Sequence, residues 1–291
     1  MERHLLVTVS EQSSALYGVR FAGHFFSNKE ALRMTLFYTA PRPPAVWEGE
    51  RTHDSDRQSE QQAKQYEAKG LKALEEAKKV LIKLGFKQEQ VGTKFQVRQR
   101  SKVMDIIQEG ARGLYDAVVL GRRGLSWLEE VLDESVSRDL LETRVNFPIW
   151  TCRRPDIERR NVLVCVDGSD AAYRVADHVG FILGREERHE VTLFRVSKKE
   201  GHPDGDAESI LEKSKAHLLE HGVPADRIKT KQVKAGSASR AILKEAEDGR
   251  FAAVAVGRTG AGQGLLGKLF MGPVSQTLFR ELERAALCVC Y

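Results

Sequence analysis

The chain reads as two α/β domains in tandem, each a parallel sheet covered by helices on both faces. Three observations carry that expectation. Short, almost continuously apolar runs alternate with segments of helical period, as in strands buried on both sides. The scheme occurs twice along 291 residues, a length sufficient for two ordinary cores. The fourth apolar run of the second copy leads straight into a glycine-rich stretch, Gly257 to Ser275, that contains no acidic residue.

The repeat sets the boundaries. Leu5–Ser10 (LLVTVS) aligns with Val162–Asp167 (VLVCVD) at an offset of 157, and at the same offset MTLF at 34–37 meets VTLF at 191–194. The offset falls to 136 further on, where Ser101 meets Ser237, Ile106 meets Ile242 and AVVLGR at 117–122 meets AVAVGR at 253–258. Beyond the glycine loops it is 138, pairing Val136 and Ser137 with Val274 and Ser275, and Cys152 with Cys290. The domains are therefore placed at 1–152 and 161–291, with the charged linker Arg153–Arg160 (RRPDIERR) between them.

Strands are expected in the first copy at 4–9, 32–39, 93–98, 116–121 and 147–152, with helices at 15–26 and about 55–84. The longer helix carries Ala63, Tyr66, Gly70, Leu74, Ala77, Leu81 and Leu84 at three- and four-residue spacing, one buried stripe closed by Gly85. Its beginning, 54–62, is polar all round, either a projecting solvated helix or a lid. The second copy repeats the strands near 161–166, 190–196, 228–234, 252–257 and 286–290, with helices near 170–183, 206–221, 237–248 and 273–282.

Composition excludes several classes. With 41% hydrophobic and 30% charged residues and a net charge of +5, the chain has neither the bias of a disordered segment nor a basic stripe interleaved with aromatics. No nucleic-acid partner and no membrane span are expected, and a strand-like start without an apolar leader suggests the cytoplasm. Cys152, Cys165, Cys288 and Cys290 lie in apolar runs, where a reduced thiol packs as a small hydrophobe. Cys288 and Cys290 share one strand face, which zinc or redox chemistry could use, but no partner pair at ligand spacing accompanies them.

The candidate site is a phosphate cradle. A strand running into Gly257, Gly260, Gly262, Gly264 and Gly267, then into a helix at Pro273, presents backbone N–H groups at a helix start, where anions are favoured. A plain chain-turning loop is the alternative. In an open parallel sheet the crevice lies at the strand carboxyl ends, so Asp167 and Gly257 should meet there, with Val196 as an apolar wall. Asp167 in DGSD is also good turn chemistry. The loop holds most of a P-loop in Gly262–Lys268, but Leu269 stands where the Mg²⁺-holding hydroxyl belongs, and Gly262, Gly264 and Gly267 match only a weak dinucleotide fingerprint. Neither the eight histidines nor Ser13, Ser135 and Ser169 form a recognisable catalytic set, so no enzyme is expected.

The motif VCVDGS at 164–169, with Gly257-x2-Gly260 and the later Gly272-x-Val274-Ser275, resembles the universal stress protein family across both halves. The resemblance implies Rossmann-like domains of the adenine nucleotide alpha hydrolase type, with five parallel strands in the order 3-2-1-4-5. It also implies ATP, ADP or AMP, with or without Mg, at Asp167, Val196, Gly257, Arg258, Gly260, Gly272, Val274 and Ser275. Pairing of last strands makes dimers in the family, and the two halves of a tandem chain can supply it to each other; a homodimer or a signalling protein is the further partner expected. The copies depart from the pattern unequally. In the first, Glu134 replaces the third glycine, Ser10 replaces the aspartate, and Glu129, Glu130 and Asp133 crowd the loop, with Arg122, Arg123 and Arg138 as their counter-ions, so it reads as a pseudo-domain with Trp127 packed in its loop. In the second, eleven residues instead of nine separate Gly260 from Gly272, which can shift Lys268, and Pro273 removes a donor and a hydroxyl. A scaffold of the same fold without nucleotide is the competing reading.

Overall fold

The computed structural model describes residues 2–11, 16–43, 52–121, 145, 147–197, 207–258 and 272–290. Its first half runs β1 (Arg3–Thr8), α1 (Leu16–Phe25), β2 (Leu32–Ala40), α2 (His53–Lys83), β3 (Val91–Val97), α3 (Lys102–Arg112), β4 (Ala117–Gly121) and β5 (Ile149–Cys152). The second runs β6 (Val162–Cys165), α4 (Asp170–Leu183), β7 (Val191–Ser197), α5 (Ala207–Glu220), β8 (Ile228–Lys234), α6 (Ala238–Asp248), β9 (Ala253–Gly257), α7 (Pro273–Glu281) and β10 (Ala286–Cys290).

Each half has the strand order 3-2-1-4-5, all parallel, and the two sheets merge into one of ten strands, β3-β2-β1-β4-β5-β10-β9-β6-β7-β8. The join is antiparallel, with Leu287 opposite Thr151, Cys288 opposite Trp150 and Val289 opposite Ile149. Satisfying the last strand of each half with the other leaves no exposed strand edge at mid-molecule, the liability that an isolated half would carry. Both faces of the central strands carry an apolar cluster that spans the two halves. On one, Leu5, Val7, Phe25 and Trp150 are continuous with Val164, Val175 and Cys288; on the other, Leu6, Phe37 and Ile107 are continuous with Leu163, Ile242 and Leu278.

The expected elements appear within a residue or two of their places, and one α-helix appears that was not expected. Helix α3 occupies 102–112, capped by Ser101, whose side chain accepts from the Met104 N–H at 3.2 Å. The matches of Ser101 with Ser237 and Ile106 with Ile242 were its signal, since they repeat the cap and buried position of α6. In α2 the buried stripe begins at Gly70 and includes Ala73, Leu74, Ala77 and Leu81, whereas Ala63 is exposed. The first turns run on as solvated helix, started by a reciprocal Thr52–Ser55 capping box. Gly85 ends this helix at a φ of +94°, as a terminating glycine does.

A buried ion pair locks the halves beside the sheet. The Arg3 guanidinium donates to the Ile182 carbonyl, to Glu186 Oε1 at 3.3 Å and to the Asn28 carbonyl at 3.2 Å. Glu186 Oε2 accepts from the Ser27 N–H at 2.7 Å, the Ser27 hydroxyl at 2.6 Å and the Asn28 N–H at 3.2 Å. Both side chains are almost wholly buried, so this hydrogen bonding must offset the loss of hydration.

Candidate functional site

At the carboxyl ends of β6, β7 and β9 the sheet opens into a cavity of about 360 Å³, within the size range of small-ligand sites. Its walls bring together Asp167, Val196, Gly257, Arg258, Gly272, Val274 and Ser275. Seven of the eight expected residues thus converge; Gly260 lies outside the described residues, as does Lys268. So do the first-copy loop residues Arg122, Arg123, Trp127, Glu129, Glu130, Asp133, Glu134 and Arg138. Cys165, Phe194, Ala238 and Ile242 also line the cavity and were not named from the sequence. For Cys165 and Phe194 the signal was period two, because residues two before Asp167 and Val196 must face the same side of the sheet; Ala238 and Ile242 come from helix α6.

The floor depends on one glycine. A Cβ on Gly257 would stand 2.9 Å from Ala171 Cβ and 3.0 Å from the Ala171 carbonyl carbon, in the first turn of α4. Only a residue without a side chain lets β9 and α4 approach so closely.

Asp167 adopts the turn role as well as its place at the rim. Its Oδ1 accepts from the Ser169 N–H at 3.0 Å and the Ser169 hydroxyl at 2.6 Å, around Gly168 at a φ of +86°. Ser169 then accepts from the Ala172 N–H at 3.2 Å and caps α4. The carboxylate is exposed, so it can meet a ligand from this fixed geometry.

Ser275 is 2% exposed and its hydroxyl points at two carbonyls, Gly272 at 3.0 Å and Arg258 at 3.2 Å. The Gly272 N–H also donates to the Arg258 carbonyl at 2.6 Å. These contacts tie Gly272 and Ser275 to Arg258. The single hydroxyl proton is therefore committed to the backbone, and Ser275 fastens the start of α7 to the end of β9.

Helix α7 begins at this tie with Pro273 in its first turn and no side-chain cap. Pro273 has no N–H, and the Gln276 N–H is taken by the Gly272 carbonyl at 2.9 Å. Val274 and Ser275 contribute the first-turn N–H groups that face the cavity end of the helix dipole. Phe194, Val196 and Ile242 make an apolar wall of the same cavity. The Cys165 thiol is pushed well above its ordinary range by burial and then by Asp167, so it lines the cavity as a neutral group. Asp167 is the only acid on the described walls.

The same place in the first half is built differently. By the repeat, Thr8, Ser10 and Thr39 stand where the second half has Cys165, Asp167 and Val196. Thr8 donates to the Val119 carbonyl at 3.4 Å, while the buried Ser10 and Thr39 hydroxyl oxygens have no hydrogen-bond partner among the described residues. The rim carboxylate has no counterpart there, and of the three wall residues Phe37 and Ile106 match Phe194 and Ile242 while Thr39 puts a hydroxyl in place of Val196.

A doubly repeated parallel sheet with a glycine-floored crevice at its carboxyl ends defines a Rossmann-like, tandem α/β protein. Residues 1–150 and 158–289 each match the universal stress protein family, and the chain belongs to that family. It is similar in fold to a universal stress protein from Archaeoglobus fulgidus, at 19% identity and a TM-score of 0.67, with 99% of this chain and 97% of that one covered. A putative universal stress protein from Pseudomonas aeruginosa UCBPP-PA14 aligns at 13% identity and a TM-score of 0.56, covering 99% and 93%. A functionally unknown protein from Pseudomonas aeruginosa PAO1 aligns at 13% and 0.51, covering 99% and 92%. No curated protein sequence matches the chain. Among the described residues no helix is long and apolar enough to cross a membrane.

Proposed function

We propose that the second half, residues 161–291, binds an adenine nucleotide in the crevice at β6, β7 and β9, and that the chain acts in the cytoplasm as a stress-response binding protein. The observation that carries this reading is the pairing of opposite chemistries across one cavity of about 360 Å³. Phe194, Val196 and Ile242 form a wall suited to a purine face, and Asp167 at the rim suits ribose hydroxyls. The acid-free glycine segment and the α7 N–H groups suit phosphate. With Pro273 lacking a donor and the Ser275 hydroxyl turned to carbonyls, the site has fewer phosphate contacts than the family motif implies, which favours AMP or ADP over ATP. One rim carboxylate offers little to a divalent cation, so Mg enters only with the phosphates. The first half, residues 1–152, serves as the pseudo-domain whose β5 completes the sheet. Among the described lining residues the one carboxylate, Asp167, is engaged in the Ser169 turn, and the role proposed here is binding.

The test is the nucleotide released from freshly purified, denatured protein, followed by calorimetry of the emptied protein with AMP, ADP and ATP. The variant Val196→Asp, which puts a charge in the apolar wall, should abolish the heat while far-ultraviolet dichroism stays unchanged. A folded parent chain that carries no nucleotide and gives no heat with any of the three would instead establish the scaffold reading, which the altered phosphate end favours.

A further inference from the structure

Where β10 meets β5, the core contains a group that packing alone does not require. Cys288 and Cys290 project from the same face of β10 with their sulfurs 3.7 Å apart. His178 of α4 joins them, and the three donor atoms lie within 4.8 Å of one another. All three residues are buried, at 0%, 2% and 8% exposure. In sequence His178 lies more than a hundred residues before the two cysteines, so no ligand spacing marks the group.

The internal repeat supplies a control. The residues of the first half equivalent to His178, Cys288 and Cys290 are Phe21, Trp150 and Cys152, and there the space is filled by Phe21 against Trp150, ring centres 5.9 Å apart. The fold is thus satisfied by apolar side chains at this position. Part of the difference is explained by Trp150, whose indole N–H donates to His178 Nε2 at 3.0 Å across the junction. Cys290 has a buried thiol counterpart in Cys152, but the second thiol beside it, Cys288 in place of an indole, has no such account.

Their spacing fits a metal. Two thiolates on one soft ion, with bonds of about 2.3 Å and an S–metal–S angle between about 109° and 120°, stand roughly 3.8–4.0 Å apart. The sulfurs are already within a few tenths of an ångström of that. Three donors converge, none of them a carboxylate, and no fourth His, Cys, Asp or Glu belongs to the cluster among the described residues. Zinc in a structural site takes four ligands, whereas thiolate-rich sites of low coordination number suit Cu(I).

We propose that His178, Cys288 and Cys290 form a three-coordinate site for Cu(I) at the junction of the two halves. Binding exchanges the two thiol protons for the ion, and both leave to solvent. Imidazole coordination also requires the indole to yield its acceptor. If Nε2 binds the ion, its lone pair is withdrawn from Trp150; if Nδ1 binds, Nε2 takes the ring proton and opposes the indole N–H. The environment of Trp150 therefore reports occupancy. The site welds α4 of one half to the strand that receives β5 of the other, so a bound ion would stiffen the junction.

The test uses the full chain, reduced and kept free of oxygen. It is incubated with Cu(I) as a weak nitrile complex, desalted against a Cu(I) chelator and analysed for metal. The expected result is one copper per chain, with a change in tryptophan fluorescence and a sulfur-to-copper absorption band. Cys288→Ser/Cys290→Ser should retain none. His178→Phe, which copies the first half's own packing, should remain folded and weaken retention by at least roughly tenfold, since even indirect supporters of metal ligands cost that much. Retention by the double cysteine variant equal to that of the parent, or no retention by the parent, overturns the assignment. Preferential, stoichiometric retention of zinc from a parallel incubation would overturn the three-coordinate Cu(I) site.

Discussion

Replacing Gly257 by alanine tests whether the crevice is held open by the close approach of β9 to α4. The added Cβ would meet Ala171 Cβ at 2.9 Å, the Ala171 carbonyl carbon at 3.0 Å and the Ala172 nitrogen at 3.2 Å. Comfortable carbon–carbon contact lies at about 3.5–4.0 Å, so α4 must retreat by about 0.6–1 Å. Two of the three neighbours are backbone atoms, and no rotamer change relieves them. Overpacking of this kind costs about 1–3 kcal/mol. Because α4 starts at the Asp167–Ser169 turn, the same retreat moves Asp167 at the rim, and nucleotide affinity should fall together with stability. Urea unfolding should show a lower midpoint at unchanged slope, the signature of a stability change alone. Gly236→Ala is the control, because a Cβ there has nothing within 4 Å. It should stay within about 0.5 kcal/mol of the parent, as substitutions away from packed sites do. If Gly257→Ala were equally silent, the packing argument for the crevice floor would be wrong.

Three further outcomes are expected. Glu186→Gln removes the charge partner of the buried Arg3 and should cost about 3–5 kcal/mol in urea unfolding, with Arg3→Met/Glu186→Gln recovering part of it; a loss under about 1 kcal/mol contradicts the lock between the halves. Ser275→Ala removes the tie to the Arg258 and Gly272 carbonyls and should cost about 1 kcal/mol of stability with little change in nucleotide affinity. The opposite pattern would make Ser275 a direct ligand. Burial, followed by the hydrogen bond to Glu109, pushes Tyr115 up to about 12. A folded value above the unfolded one of about 10 means that the neutral phenol stabilises the fold below pH 10, and that this contribution fades as pH rises towards 12. The stability gap between parent and Tyr115→Phe should narrow over that window, and a gap independent of pH would refute it.

Much of the site was legible because it rests on local pattern. Asp167 and Val196 end strands recognisable by their apolar runs, and Gly257 and Gly272 bracket a glycine segment that no ordinary helix or strand tolerates. Their meeting follows from a parallel sheet, which gathers its carboxyl ends along one edge. What each group does there was not legible. The Ser275 hydroxyl looked like a phosphate ligand in the motif, yet it faces two carbonyls, since a one-dimensional pattern does not specify a side-chain torsion. Asp167 takes the turn role and keeps its place at the crevice rim, because one carboxylate can close an Asx turn and still face solvent.

The chain's own periodicities were enough to determine two copies of one α/β unit, their strands, and which copy kept the glycines. Those features arise from contacts within a few residues or from the repeat itself. The joining of ten strands into one sheet, the Arg3–Glu186 lock and the meeting of His178 with Cys288 and Cys290 were decided only in three dimensions. Each depends on residues more than a hundred positions apart: the first two join the halves, which meet where β5 pairs with β10, and the third forms where α4 packs on β10. No local propensity encodes that distance.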